Sequence, residues 1–480
     1  MCGICAIHGP RAVDRGRLER MTAALAHRGP DGSGIWTRGG CGLGHRRLSI
    51  IDLDSGAQPM TSSDEDLTIT FNGEIYNYRE LRRSLADDYP FRTGSDTEVI
   101  LNLYRRYGKR CVRYLRGMFA FVIHDRRDDS LFAARDHFGQ KPLYYVQEDR
   151  SLLVASEIKA LLRADEGLRE MDEAALHEYM TLRVVTAPRS MFRRVRKLPP
   201  GHLFLFADGR LHIERYWTLS YERKQTISFD EAVEGIDRHL EEAVRHHLEA
   251  DVPIGAFLSG GLDSSLVAQA VHRITGEPFP TFAGGVGEER YSELGAARSV
   301  AESLGTRHRE ITVEPSMVRS LTEMVRQLDE PSDMLSPCIY RISELASEHV
   351  KVVLGGDGGD ELFGGYDRYF GNRFASAYAV LPRAARRVLL EHLSKLVPEG
   401  EWYRSAGHRL RWLTEMSMYR GGRRYARSLS YFYFGGERSE GLYTEEFARR
   451  AGAFDPEAHV AAHFDAAPAD NLLERMLSTD

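Results

Sequence analysis

The chain changes texture once, near residue 220, and that change restricts the folds open to it. Residues 1 to about 210 carry short apolar runs broken by Gly, Asp and Pro: LTITFNGEIYNY, MFAFVIHD, SLFAARD, PLYYVQ, LLVAS and HLFLF. Such runs, rich in β-branched and aromatic residues with turn signals between them, predict strands of a layered β-sandwich with a few helices. After the polar stretch Ser220 to Thr226 the period becomes helical. In SFDEAVEGIDRHLEEAVRHHL the residues Phe229, Ala232, Val233, Ile236, Leu240, Val244 and Leu248 share one helix face, and Ser228 with Glu231 forms a capping box. Strands and helices then alternate through VPIGAFL, SSLVAQAVHRI, FPTFAGG, SELGAARSVAESLG and HVKVVLGG. That texture predicts a parallel, doubly wound sheet with ligands at the carboxyl ends of its strands. Beyond about Arg373 the chain reads as helical and rich in Arg and aromatics, and no internal repeat is present.

The bulk properties narrow the function. A chain of 480 residues accommodates two or three domains. Its formal charge of −6 offers no basic footprint for nucleic acid. No stretch approaches the roughly 18 unbroken apolar residues of a membrane span, and the start lacks the charged-then-apolar build of a secretory signal; a cytoplasmic protein is expected. The five cysteines, Cys2, Cys5, Cys41, Cys111 and Cys338, lack a second CxxC or a nearby CxxH to complete a zinc site.

The segment FLSGGLDSS, Phe257 to Ser265, lies between a predicted strand and a predicted helix. Its glycines permit a tight turn with inward N–H groups, and the helix N-terminus adds positive dipole, so the pair forms an anion cradle. The GK[ST] ending of a Walker A loop is absent. Asp263 stands in the loop instead, and an acid facing polyphosphate calls for Mg²⁺ between them. A second loop, VVLGGDGGDELFGGY, sets Asp357, Asp360 and Glu361 among glycines after another strand. These acids are candidates for the same metal or for orienting a substrate amine. At the other end, MCGICAI puts a thiol directly behind the initiator methionine. Read alone, Cys2 and Cys5 spell a CxxC open to metal, redox or purely structural use; read with Met1 removed, Cys2 carries a nucleophile and an amine in one residue.

These residues carry a family resemblance. SGGLDSS, LDEP and GGDGGDELFGGY resemble the synthetase domain of glutamine-dependent asparagine synthetases, an ATP pyrophosphatase-loop fold. CGICAI, HRGPDGSG, GHRRLSI, FNGEIYN and GSDTE resemble the class II glutamine amidotransferase domain. The resemblance implies an α+β N-terminal-nucleophile αββα sandwich over residues 1–215. An α/β parallel-sheet pyrophosphatase-loop domain with a helical C-terminal part would follow over 227–480. It further implies Cys2 as nucleophile, Asn72 and Gly73 as the oxyanion donors, and Arg47, Asn72, Glu74 and Asp96 as the glutamine-binding set. Arg28, Gly29, Pro30 and Asp31 would wall the nucleophile, and Cys5 would be a buried residue of the first strand. For ATP it implies Phe257, Ser259, Gly260, Gly261, Asp263, Ser264, Gly355 and Gly356, with Asp263 and Asp360 holding Mg²⁺ and Asp357 and Glu361 in the acidic loop.

The implied partners are glutamine, ATP and a carboxylate acceptor, aspartate first, in a family that is often dimeric. The implied reaction hydrolyses glutamine at Cys2 and passes ammonia to a carboxylate activated as an acyl-adenylate, releasing AMP and pyrophosphate. The stretches LDEPSDMLSPCIYRIS and EERYSEL depart from the commoner family text, which leaves another carboxylate as an alternative acceptor. The sequence also stops at Asp480, before the family's Lys-x-Asp-Arg segment. An incomplete synthetase domain is expected from that, as is the alternative of a synthesis-deficient protein that binds glutamine or nucleotide.

Overall fold

The computed structural model describes residues 1–288, 292–313, 317–331, 336–386, 388, 406–430 and 443–480. Two compact units emerge: residues 1–172, 186–218 and 229–356 form one, and 173–185, 219–228 and 357–480 the other.

In the first unit, strands β1 (Gly3–His8), β2 (Gly32–Arg38) and β3 (Cys41–Arg47) join β8 (Tyr144–Glu148), β9 (Ser151–Ala155) and β10 (Arg196–Lys197) in a six-stranded sheet ordered β10-β8-β9-β1-β3-β2. A second six-stranded sheet runs β12-β11-β7-β6-β5-β4, from β4 (Met60–Thr61), β5 (Leu67–Ile75), β6 (Gly117–Asp125), β7 (Ser130–Arg135), β11 (His202–Ala207) and β12 (Arg210–Arg215). Neighbouring strands in both are antiparallel. Ile4 and Ala6 of β1 pack with Ala120, Val122, Leu131 and Ala133 between the sheets. Cys5 and Ile7 face the other way, onto helices α1 (Arg15–Ala24) and α4 (Ile158–Ala164). A strand covered on both faces has no polar side, which is why GICAI, up to His8, reads as an unbroken apolar run. On β5, Leu67, Ile69, Phe71 and Ile75 pack beneath α2 (Tyr78–Leu85) and α3 (Asp96–Tyr107). The period of two then turns Thr70, Asn72 and Glu74 toward the first sheet, where the Thr70 hydroxyl donates to the Gly44 carbonyl at 3.1 Å. The layers are helix, sheet, sheet, helix, as the family resemblance implies.

The same unit holds a parallel sheet ordered β15-β14-β13-β16, built from β13 (Ile254–Phe257), β14 (Pro280–Val286), β15 (Arg307–Val313) and β16 (Val352–Leu354). Helices α6 (Phe229–His247), α7 (Leu262–Thr275) and α8 (Leu294–Leu304) accompany it. The predicted α6 face is only half covered. Val244, with Leu240 and Leu248, joins the sheet core, but Phe229, Val233 and Ile236 are 81%, 50% and 45% exposed. The apolar stripe starts before the core that covers it does.

Helices α9 (Met317–Leu328) and α10 (Ser336–Ser347) lead to β16. The LDEP acids between them grip the sandwich: the Asp329 carboxylate accepts from the Lys159 backbone N–H at 2.8 Å, and Glu330 takes the Met191 N–H and the Lys197 ammonium, each at 2.7 Å. The departures noted at LDEPSDMLSPC and EERYSEL fall partly on 332–335 and 289–291, outside the described residues.

The second unit is helical. It includes α5 (Glu173–Leu182), α11 (Gly359–Phe363), α12 (Asp367–Tyr378) and further helices through Leu472–Thr479, around Tyr369, Tyr425, Phe464 and Met476. Among the described residues no helix is long and apolar enough to cross a membrane.

Candidate active site

One cavity of about 270 Å³ gathers the expected amide-handling groups: Cys2, Arg47, Asn72, Gly73, Glu74 and Asp96 all line it. Cys2 stands at the tip of β1. Its Sγ receives the Leu48 N–H at 3.4 Å and lies 3.6 Å from the Leu48 carbonyl. Burial pushes the thiol pKa up, opposed by the Leu48 hydrogen bond and by nearby positive charge, so a base is needed to make the thiolate. Burial also brings the Met1 α-amine down to about 5. The Met1 amine is therefore unprotonated at neutral pH.

Asn72 is 1% exposed and neither its amide nitrogen nor its amide oxygen has a hydrogen-bond partner. A buried unpaired amide is costly, of order 1–3 kcal/mol, and is explained when something entering the cavity completes it. Gly73 beside it admits no side chain, since a Cβ would lie 2.1 Å from the Met118 carbonyl oxygen. Arg47 ends β3 with its guanidinium tethered to the carbonyls of Ile51, Asp52 and Leu53. Gly56 permits that loop to close on it: a Cβ there would sit 2.4 Å from Arg47 Nη2.

Glu74 and Asp96 are both buried. Asp96 lies in the first turn of α3, capped by Ser95, and accepts the Ile75 N–H at 3.0 Å. Burial, reinforced by the charge of Glu74, raises the Asp96 pKa to about 7. Burial likewise raises that of Glu74, with Lys141 opposing. Two acids held above their ordinary range in one cavity would be drawn back down by a cation placed beside them.

The lining residues that escaped the sequence reading include Lys141, Gln58, Ser95, Thr97 and Lys351. Lys141 is 5% exposed, with its pKa lowered by burial while Glu74 opposes; a lone Lys after a turn carries no sequence signal for that. Lys351 comes from the segment before β16 and donates to Asp31 at 2.7 Å, while Asp31 also accepts the Ser49 N–H at 2.8 Å. Lys351 draws the Asp31 carboxyl below its ordinary pKa. Of the expected wall, Arg28 donates to the Cys2 carbonyl at 2.8 Å. Gly29 is packed so closely on Arg46 and Arg47 that a Cβ would stand 2.3 Å from backbone, and Pro30 bridges to Arg47. Cys5 is fully buried against Thr22, its thiol pushed up to about 12. All five cysteines are free.

The second expected site lies at the carboxyl end of β13. Phe257 ends the strand, Gly261 caps α7, and Asp263 falls in the first helical turn. Ser259 and Ser264 hydroxyls are 2.9 Å apart, and the Ser259 hydroxyl accepts the Gly261 N–H at 3.2 Å. Gly260 takes φ +80°, and a Cβ on it would lie 2.5 Å from the Ala296 backbone of α8. Gly355 and Gly356 follow β16; a Cβ on Gly356 would meet the Ser264 backbone nitrogen at 2.8 Å. The buried Ser265 hydroxyl has no partner. A glycine-tightened turn, a helix N-terminus and an orphan hydroxyl fit a phosphate group, and the Asp263 carboxylate is the hard oxygen donor that Mg²⁺ takes.

Asp357, Asp360 and Glu361 belong to the second unit. Asp357 is exposed, Asp360 and Glu361 lie on α11, and Glu361 accepts the Tyr366 hydroxyl at 2.6 Å.

Comparison with known proteins agrees with this division of labour. The family described as glutamine amidotransferase domain matches residues 1–217, and the family described as asparagine synthase matches 235–479, just over half of the chain. Asparagine synthetase [glutamine-hydrolyzing] 1 of Bacillus subtilis is 37% identical over 409 residues, covering 83% of this chain; the chain spans 64% of that relative's length. Asparagine synthetase [glutamine-hydrolyzing] 3 of Arabidopsis thaliana is 38% identical over 388 residues, 76% of this chain and 61% of the relative.

Proposed function

The chain belongs to the glutamine-hydrolysing asparagine synthetase family, and from that premise we propose that it is a cytoplasmic carbon–nitrogen ligase that takes the amide nitrogen of glutamine and installs it on an ATP-activated carboxylate, aspartate first. The observation that carries the reading is Asn72: a buried, unpartnered side-chain amide beside a nucleophile, an arginine and two acids in one cavity.

The glutamine carboxylate meets the tethered Arg47 fork, which suits a planar anion. Its α-ammonium meets Glu74 and Asp96, whose raised pKa values fall once a cation arrives. With Met1 removed, the Cys2 amine takes the thiol proton and the sulfur attacks the side-chain carbonyl carbon. The oxyanion formed is met by the Asn72 amide and the Gly73 N–H. Collapse breaks the C–N bond and releases ammonia, and water hydrolyses the thioester to glutamate. At the second site the β13–α7 turn, with Ser259, Gly260, Gly261, Ser264, Gly355 and Gly356, cradles ATP phosphates. Asp263 would hold Mg²⁺, which when bound neutralises phosphate charge. The acceptor carboxylate displaces pyrophosphate from the α-phosphorus, and ammonia then displaces AMP.

The test measures glutamate, pyrophosphate and amide product with aspartate and a panel of other carboxylic acids, using glutamine or ammonium as donor. Glutamine-driven product formation that is lost in Cys2→Ala while ammonium-driven formation persists supports two coupled sites. Glutamate release unchanged in Cys2→Ala overturns the glutaminase assignment. Pyrophosphate release with another acid but not aspartate overturns aspartate as acceptor.

A further inference from the structure

The far end of the sandwich carries a cluster that amide chemistry does not use. His8 closes β1, His124 stands near the end of β6, and Asp129 sits in the turn between β6 and β7. Both histidines are buried, at 6% and 2% exposure, and their side chains meet in the layer between the two sheets. The Asp129 Oδ1 is 3.0 Å from His124 Nε2 and 3.5 Å from His8 Nε2. One ligand atom from each residue falls within 4.8 Å of the others.

His8 is the telling member. Its Nδ1 has no hydrogen-bond partner and its Nε2 has only the long 3.5 Å approach to Asp129, while the ring is wedged edge-on against Phe206, with centroids 5.5 Å apart. A buried imidazole so poorly satisfied by its neighbours calls for an explanation, and a bound ion would supply one. The Asp129 side chain is 68% exposed, so water can reach one side of the cluster.

We propose that His8, His124 and Asp129 form a divalent transition-metal site, for which Zn²⁺ is the best match: two imidazoles, one carboxylate and a water-filled fourth position. Soft-to-borderline cations favour imidazole, whereas Mg²⁺ and Ca²⁺ prefer all-oxygen sets. The ion would tie β1 of one sheet to β6 of the other. It would lie about 20 Å along β1 from Cys2, at ~3.3 Å per residue, so its role is to brace the sandwich.

The test uses the full chain carrying Cys2→Ala, which removes the thiol in the amide pocket as a competing ligand. Chelator-stripped protein is titrated with Zn²⁺ by calorimetry and melted with and without it, and Zn²⁺-soaked crystals are measured at the zinc absorption edge. The expected result is one ion per chain between the two imidazoles, a higher melting temperature with Zn²⁺, and at least tenfold weaker binding in Asp129→Asn. That exposed turn position, at φ +51°, accepts Asn without strain, so the variant keeps the fold; His8→Gln provides the second arm. Equal affinity and equal thermal gain in Asp129→Asn, or anomalous density only elsewhere, overturns the site.

Discussion

The amide pocket and the phosphate turn are specified in opposite ways. The pocket is defined by side chains that are present: a thiol, an amide, a guanidinium and two acids, delivered by β1, β3, β5 and the start of α3 into one cavity. The turn is defined by side chains that are missing, because Gly260 and Gly356 stand where a Cβ would strike backbone. A site made of perturbed groups is vulnerable to deletion. A site made of cleared backbone is vulnerable to addition.

Substitutions can break that contrast. The largest effect is expected for Cys2→Ala, where glutamine hydrolysis measured as glutamate release should fall at least about a thousandfold. Ammonium-driven synthesis should remain. Asn72→Ala should lower kcat for glutamine by roughly a hundredfold to a thousandfold with little change in KM, because its amide acts on charge that develops in the transition state. In the turn, Gly260→Ala adds one methyl group at φ +80°. It should cut pyrophosphate release by about thirtyfold or more while glutamate release is retained. Equal loss of both activities would mean that the two sites are not separately specified.

Titration offers a gentler probe. With the Asp96 pKa raised to about 7, Asp96 carries a proton below that pH, and an ammonium bound there, as proposed for glutamine, must displace it. KM for glutamine should therefore rise by up to about tenfold per pH unit below 7, and Asp96→Asn should flatten the profile. The sign for stability follows from the same shift. A carboxyl whose folded pKa exceeds its unfolded value stabilises the fold when protonated, and that contribution fades as pH rises toward 7. The smallest effect is expected at Lys351 and Asp31. Their side chains are 39% and 28% exposed, and a double-mutant cycle in urea unfolding should give a coupling of about 0.2–1 kcal/mol.

How much of this could be read from the sequence depended on whether a residue's partner lay nearby in the chain. The apolar run LTITFNGEIYNY announced strand β5, and the helical period of SFDEAVEGIDRHLEEAVRHHL announced α6. Both are short-range patterns, and both are present in the fold. The glycines of SGGLDSS signalled a cleared turn because their spacing carries that meaning by itself. Lys141 could not be found this way, since its burial beside Glu74 depends on how the β7–β8 connection folds over the pocket. His8, His124 and Asp129 meet only because two sheets stack, and the cysteine count that argued against zinc could not register two histidines 116 positions apart. On α6 the pattern overreached: a stripe of apolar residues shows which face is greasy but not how far the neighbouring core extends along it. In LDEP, which the sequence offered only as family text, the acids are tied to Lys159, Met191 and Lys197.

Strand β16 is three residues long, yet its flanks reach both sites. Lys351 before it lines the amide cavity, and Gly356 after it abuts the Ser264 backbone. Five residue steps separate them, roughly 16 Å of extended chain, and the three strand residues between are paired laterally to Ile254, Gly255 and Ala256 of β13. A substitution anywhere along this short segment therefore stands within a few residues of both candidate sites.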